Sequence, residues 1–441
     1  MPNRLLLNAL ARSFLAGDAT VEQIVARASQ TLGRRWRWLR PVAQRYVESF
    51  AGQTRPRRAD VVGFLQRDRG FKRAWSKRAD ELRVEEWLNT SPRMRPVEAA
   101  AGWKIPQIES VRALADWLRL SESELEWFAD LKGLGARSAD QRLQHFRYRI
   151  LQKQSGHLRL IEAPKDYLKH IQQKILGEIL DPIPAHGAVH GFVRGRSIKT
   201  FAAPHAGRRV VLRIDLKDFF PSFGGRRIQA LFRTAGYPEA VAELLGGLCT
   251  NAAPRAVWKQ TGFVMEPSAW READQLYGRP HLPQGAPTSP ALANLCTYRA
   301  DCRLSALARA SGGVYTRYAD DLAFSGEDEF DSCVQRFLTR AGAILLEEGF
   351  SVQHRKTRIM RQGVRQHLAG LVANQHVNVA RTDFDRLKAI LTNCVRHGPV
   401  TQNRDGHPSF RRYLEGRVAF VEMINPKKGV RLRTIFDRIQ W

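Results

Sequence analysis

Apolar residues recur at helical spacing through the first part of the chain: Leu114, Trp117 and Leu118 fall on one face of a helix. Ser121 followed by Glu124 makes a capping box that opens the next helix. Residues 1–136 therefore read as a helical, Arg- and Trp-rich N-terminal region. From Arg137 to about Asn374 strand-like runs such as Val210–Leu216 and Val314–Tyr318 alternate with helical segments such as Leu168–Leu180. That alternation predicts a mixed body of sheet and helix over 137–374. In 375–441 the segments around Leu387–Cys394 and Phe410–Ile424 read as helices separated by Gly and Pro turns. No internal repeat or low-complexity linker interrupts the chain.

Charge changes this picture more than length does. The 441 residues are 43% hydrophobic, enough for a substantial core, yet carry a formal net charge of +28 spread along the chain. Nucleic acid is the expected partner of such a charge, because each neutralised phosphate releases counterions. No apolar stretch approaches the roughly 20 residues that span a bilayer, so no membrane partner is expected. The Leu-rich start is broken by Asn8 and Arg12 and lacks the layout of a signal peptide. Cys249, Cys296, Cys302, Cys333 and Cys394 form no C-x-x-C pair and read as small buried apolar residues in a reducing, cytoplasmic setting. Arg34, Arg35, Trp36, Arg37, Trp38 and Arg40 either clamp RNA or form the core and rim of a helical bundle; the sequence leaves both open.

The chemistry gathers at three acids. An apolar, β-branched run from Val210 reaches Asp215, where an ionised carboxylate is costly unless something pairs it. Two further strand-like runs, Tyr315–Tyr318 and Leu322–Ser325, meet at Asp320 and Asp321. Tight hairpins favour Asn-Gly or Asp-Gly, so adjacent acids without glycine break a folding preference in a way that points to a bound divalent cation. Three acids on neighbouring strands suit phosphoryl transfer with two metal ions. Taken alone, the Asp-Asp pair also reads as a solvated turn.

Several ordered segments resemble retron-type bacterial reverse transcriptases, RNA-directed DNA polymerases related to those of group II introns. Tyr318-Ala319-Asp320-Asp321 looks like their YxDD box, and Asp215–Phe220 like their first catalytic strand. Leu282-Pro283-Gln284-Gly285-Ala286-Pro287-Thr288-Ser289-Pro290 resembles their LPQG-x-P-x-SP segment. Gly349-Phe350 through Lys356-Thr357 is similar to their G-F-x-x-x-x-x-K-T element. Arg159–Pro164 resembles the entry to the fingers, and Leu368–Val372 the primer-gripping turn. The retron element NAxxH appears as Phe201-Ala202-Ala203-Pro204-His205, and VTG as Leu368-Ala369-Gly370; both departures bear on the identity of the partner RNA.

The resemblance implies an α+β right-hand polymerase: fingers and palm, an antiparallel sheet plus helices, over 137–374 and a helical thumb over 375–441. It implies that Asp215 and Asp320 bridge two Mg²⁺ ions, with Mn²⁺ as an alternative, supported by Asp321 and the Leu216 carbonyl. Phe220 would exclude a 2′-hydroxyl, or else pack in the core with Phe219. Gln284 and Gly285 would hold the incoming nucleotide, Arg159 its triphosphate, and Lys356 would protonate pyrophosphate or simply be a surface lysine. Arg194, Arg196 and Lys199, in a Gly- and Arg-rich loop, and Gly370 would contact nucleic acid. The expected partners are dNTPs, a structured noncoding RNA serving as template and primer, and its cDNA product, with a defence effector protein left open. The implied role is retron-type antiphage defence. Another defence-associated or group II intron-like reverse transcriptase is the alternative, and a non-catalytic RNA-binding scaffold the alternative of another class.

Overall fold

The structure, a computed structural model, describes residues 3–51, 56–88, 92–138, 140–152, 158–259 and 267–441. The chain forms two compact units, each built from two stretches of sequence: Met1–Ile183 with Phe223–Leu292, and Pro184–Ser222 with Ala293–Trp441.

The first unit begins with five helices, Arg4–Leu15, Val21–Thr31, Leu39–Ser49, Arg58–Arg67 and Arg69–Arg78. Leu10, Phe14, Ile24, Leu39, Val42, Leu65 and Phe71 form their common core. Trp36 is buried in it, with the Arg34 guanidinium 3.7 Å above its ring. Of the two readings left open for this Arg/Trp run, the structure takes core and rim. Asp68 caps Arg69–Arg78 by accepting from Phe71 N–H at 2.7 Å and also pairs with Arg45 at 2.7 Å. The capping box at Ser121 forms: Ser121 Oγ accepts from Glu124 N–H at 3.2 Å while Glu124 accepts from Ser121 N–H at 2.8 Å. Strands β1 (Phe146–Gln152) and β2 (Leu158–Pro164) pair antiparallel in this unit. Leu160 of β2 packs on Val257, Trp258 and Tyr277.

The second unit carries the other strands. β3 (Val210–Lys217) lies at its centre, bounded by β4 (Gly313–Tyr318), β5 (Asp321–Gly326), β6 (Ser351–Val352) and β7 (Arg358–Arg361). The order is β4-β5-β3-β6, with β7 also on β3, and every pairing is antiparallel. Val210, Val211, Leu212 and Ile214 are fully buried, as the apolar run of β3 requires. A smaller sheet joins β8 (His367–Leu368), β9 (Leu371–Val372) and β10 (Asn378–Val379). Helices Arg381–His397, Phe410–Ile424 and Pro426–Phe436 bury Leu387, Leu391, Leu414, Val418 and Leu432 against it. Asn425 ends one helix and, with Pro426 behind it, caps the next by accepting from Lys428 N–H at 3.1 Å. No helix of the described residues is long and apolar enough to cross a membrane. Cys249 and Cys394 are buried as expected, whereas Cys302 is exposed.

Beneath β4 lies a buried ion pair. Arg317 and Asp301 are both fully buried, joined by Nε–Oδ1 at 2.8 Å and Nη2–Oδ2 at 2.7 Å. Tyr315 donates its hydroxyl to Asp301 at 2.7 Å, and Arg317 donates onward to Asn294 Oδ1 at 3.1 Å. A buried guanidinium stripped of its partner costs roughly 3–5 kcal/mol. Asp301→Ala is therefore expected to lower unfolding free energy by that order, read by denaturant titration; a loss below about 1 kcal/mol would show that water or another acid replaces the pair.

Candidate active site

The register of the central sheet sets Asp215 directly opposite Asp321 across β3 and β5. Leu216 N–H donates to the Asp320 carbonyl at 3.0 Å, and Gln353 N–H donates to the Asp215 carbonyl at 2.7 Å. Tyr318 pairs with Asp321, so only Ala319 and Asp320 form the loop between β4 and β5. Ala319 adopts φ 54°, a left-handed conformation that hairpins of this length normally give to glycine. Its carbonyl accepts from the buried Arg317 at 3.2 Å. Gly191 sits against the same turn: a Cβ there would lie 2.7 Å from Ala319 N. The Gly191 carbonyl in turn accepts from Asn294 at 2.9 Å. The turn thus keeps a strained residue because a buried polar frame fixes both its flanks.

Electrostatics divides the three acids. Burial, reinforced by Asp321 and Asp215, pushes the Asp320 carboxyl up to about 6. Burial also pushes Asp321 up, against the opposing pull of Arg213. Arg213 holds Asp321 with both arms of its fork, Nε to Oδ1 at 2.8 Å and Nη2 to Oδ2 at 2.9 Å. Lys356 Nζ stands 3.1 Å from each oxygen of Asp215, so it is engaged at the site and is not a free surface lysine. Among the described residues no group of three or more His, Cys, Asp and Glu is disposed as a metal cage. The expected three-acid clamp is reduced by Arg213, which occupies both oxygens of Asp321. Asp215 and Asp320 remain a fitting pair for a hard divalent cation: oxygen donors whose mutual repulsion such an ion relieves. Leu216 is buried beside them.

Aromatic rings flank the acids. Phe219 takes the core position, stacked on Phe350 with centroids 6.0 Å apart. Phe220 is only partly buried and lies 6.4 Å from Phe192, itself 6.2 Å from Tyr318. Phe192 is 53% exposed and has φ 59°.

The basic loop is less free than its composition implies. Arg194 is exposed, but Arg196 donates to the carbonyls of Val189 and, at 2.7 Å, Gly187. Lys199 donates to the Met423 carbonyl at 2.8 Å, near the carboxyl end of helix Phe410–Ile424. Gly370, at φ 86°, follows Ala369, at φ 44°, in the tight turn between β8 and β9.

Arg159, Gln284 and Gly285 belong to the first unit. Arg159 is partly buried on β2. The Gln284 carbonyl accepts from Glu162 N–H at 2.9 Å. Gly285 has φ 137°, and a Cβ there would stand 3.0 Å from the Glu162 carbonyl oxygen, so backbone conformation and packing already require glycine. Below this segment Glu162, fully buried, accepts from His281 at 2.8 Å and from Asn251 at 2.8 Å.

Sequence reasoning missed Arg213, Arg317, Asp301, Asn294, His281 and Asn251. Arg213 had a signal, a charge two positions before Asp215 in an apolar strand and therefore on the same face. His205, quoted only as part of a motif, is fully buried; it bonds Ser325 Oγ through Nδ1 and Thr316 Oγ1 through Nε2, both at 2.7 Å. It ties the segment after Phe201 to β4 and β5.

The family model for reverse transcriptase (RNA-dependent DNA polymerase) matches residues 151–370. The retron Mx162 reverse transcriptase of Myxococcus xanthus is 37% identical over 346 residues, covering 75% of this chain and 67% of that protein. The retron Mx65 reverse transcriptase of the same organism is 40% identical over 292 residues, 66% of this chain. The retron Ec86 reverse transcriptase of Escherichia coli is 29% identical over 301 residues, covering 67% of this chain and 82% of that protein. The chain belongs to the reverse transcriptase family, among its retron-type members. The matched region spans 64% of the Mx65 protein's length. A foamy viral protease-reverse transcriptase solved with double-stranded DNA aligns over 90% of this chain and 60% of that one, at 14% identity and a TM-score of 0.32.

Burial pushes the His205 imidazole down to about 3. The unfolded chain accepts that proton below about 6.5 while the folded one refuses it, so stability is lost as pH falls through this window. Thermal melts of the wild type should fall from pH 6.5 toward 4, and His205→Gln should show a shallower fall. Parallel pH profiles would assign the acid sensitivity elsewhere.

Proposed function

We propose that this chain is an RNA-directed DNA polymerase that copies a structured noncoding RNA into cDNA. The observation that carries the reading is the register joining Asp215 to Asp321, with the Asp320 carbonyl bonded to Leu216 N–H. It gathers the acids of two sequence-distant motifs on adjoining strand ends. Asp215 and Asp320 are the residues that would hold Mg²⁺, two ions in this reading, or Mn²⁺ in its stead. Bound there, the metal supplies activation of the attacking 3′-hydroxyl and neutralisation of the departing pyrophosphate. Arg213 keeps Asp321 in a supporting position, and Leu216 offers its backbone. Lys356, bonded to Asp215, stands ready to give a proton to the leaving group.

Phe220, half-buried beside Phe192, is suited to lie under a deoxyribose and reject a 2′-hydroxyl. Arg159, Gln284 and Gly285 serve the triphosphate and base of the dNTP, and Arg194 the nucleic-acid backbone. Arg196, Lys199 and Gly370 act on nucleic acid through the loops they hold. In this reading 1–136 is an accessory region, 137–374 fingers and palm, and 375–441 the thumb. The retron-type relatives support a noncoding RNA partner. Cytoplasmic work in antiphage defence, with a separate effector protein, belongs to the same reading.

Purified protein with Mg²⁺ is expected to extend a DNA primer on an RNA template, and Asp320→Ala to abolish synthesis while RNA affinity changes by less than about twofold, since phosphate contacts lie elsewhere. No dNTP incorporation on any template, with Mg²⁺ or Mn²⁺, would sink the proposal.

The gate is tested separately: Phe220→Ala should raise NTP use relative to dNTP use by about tenfold or more, the scale of a lost steric exclusion. Unchanged discrimination in single-nucleotide addition would return Phe220 to the core.

A further inference from the structure

A cavity of about 1060 Å³ in the first unit takes no part in the reading above. Its walls come from helices Arg4–Leu15, Leu39–Ser49 and Arg58–Arg67 and from the beginnings of Val111–Leu118 and Glu239–Cys249. Seven arginines and four glutamates line it. Arg4, Asn8 and Arg12 stand four residues apart on one helix and form a polar ridge along its wall. Arg58, Arg112 and Arg233 approach from other elements.

The acids cancel only part of this charge. Glu239 accepts the backbone N–H of Arg58 at 2.9 Å, and Glu109 that of Met94 at 3.0 Å. Arg93 and Arg95 share one acid, Asp18, at 3.6 and 3.9 Å. Arg4, Arg12 and Arg112 enter no ion pair among the described residues. Burial, with Arg57 nearby, pushes the Arg233 guanidinium down from its ordinary value against the pull of Glu239, Asp60 and Glu243. The indole of Trp87 also lines the cavity and is 44% exposed.

Unpaired guanidiniums grip phosphate, and an exposed aromatic face stacks a base. Ligand sites run to about 1,000 Å³, so the volume suits a nucleotide or two. Trp36 and Trp38 of the Arg34–Arg40 run pack into the helical core, whereas Trp87 turns its ring to this cavity. We infer that it binds a nucleotide segment of single-stranded RNA, its phosphates on Arg4, Arg12 and Arg112 and a base on Trp87. The inference rests on the RNA partner of the proposed function and not on catalysis.

Fluorescence anisotropy with the full chain tests it, using a labelled unstructured oligoribonucleotide and, separately, a labelled ATP analogue, each across a salt series. The variants are Arg12→Gln combined with Arg112→Gln, Trp87→Ala, and Arg73→Gln as an exposed control outside the cavity. Circular dichroism verifies that each folds. The double variant should bind RNA about tenfold more weakly, with a salt slope shallower by about 1.4, from roughly 0.7 per lost phosphate contact on a single strand. Trp87→Ala should cost about tenfold, and Arg73→Gln less than about twofold. Cavity variants that bind RNA like the Arg73→Gln control would overturn the inference. Loss confined to the ATP analogue would overturn RNA as the occupant in favour of a free nucleotide. Primer extension on the same preparations separates the two readings. RNA binding lost from the variants of a protein inactive on every template keeps the cavity site and removes the polymerase. An active enzyme whose cavity variants bind normally does the reverse.

Discussion

The second unit depends on one buried charge. Arg317 lies wholly inside the protein, where desolvating a guanidinium is affordable only with its donors satisfied, and Asp301, Asn294 and the Ala319 carbonyl satisfy them. Because one of these acceptors belongs to the hairpin turn, satisfying the charge also fixes the turn. The left-handed Ala319 follows, and with it the direction in which Asp320 leaves the strand. Gly191 closes the arrangement from the other side, since any side chain there meets the backbone of Ala319. A structural ion pair and the carboxylate of Asp320 thus share one network.

Around the acids, two cations act in different ways. Arg213 binds Asp321 through a bidentate fork, a geometry hard to displace. Lys356 reaches Asp215 as a point charge on a flexible stem. Asp320 has no such fork; burial, reinforced by the charges of Asp321 and Asp215, lifts its carboxyl to about 6. The site therefore separates an acid held by a rigid fork, Asp321, from one held by a point charge, Asp215, and from Asp320, which has neither bond.

Elements governed by local pattern were legible in the sequence. The β3 strand, helix Phe410–Ile424, the Ser121 capping box and the meeting of two strands at Asp320 all follow from periodicity or turn chemistry within a few residues. The acids were legible because charge in an apolar strand is conspicuous. Glu162 and His281 are 119 positions apart, and no spacing rule joins them. The free or spent state of Arg196 and Lys199 was equally hidden, because their acceptors are main-chain carbonyls that carry no residue-type signal. The Ala369-Gly370 turn shows the middle case: the family resemblance implied a turn, while the positive φ of alanine in it goes with the close pairing of the strands on either side.

Because side chains two apart share a face, Arg213 and Asp215 are interchangeable positions as far as the pleat of β3 is concerned. Sliding β3 by two residues along β5 would bring Arg213 opposite Asp321, a pairing that opposite charges favour and that carries no chemistry. The β5 edge alone cannot forbid that slip. The other edge opposes it, through Leu216 against Val352 and Leu212 against Ile359. Strands β6 and β7 carry none of the three acids, yet their pairing with β3 helps to set Asp215, and not Arg213, opposite Asp321.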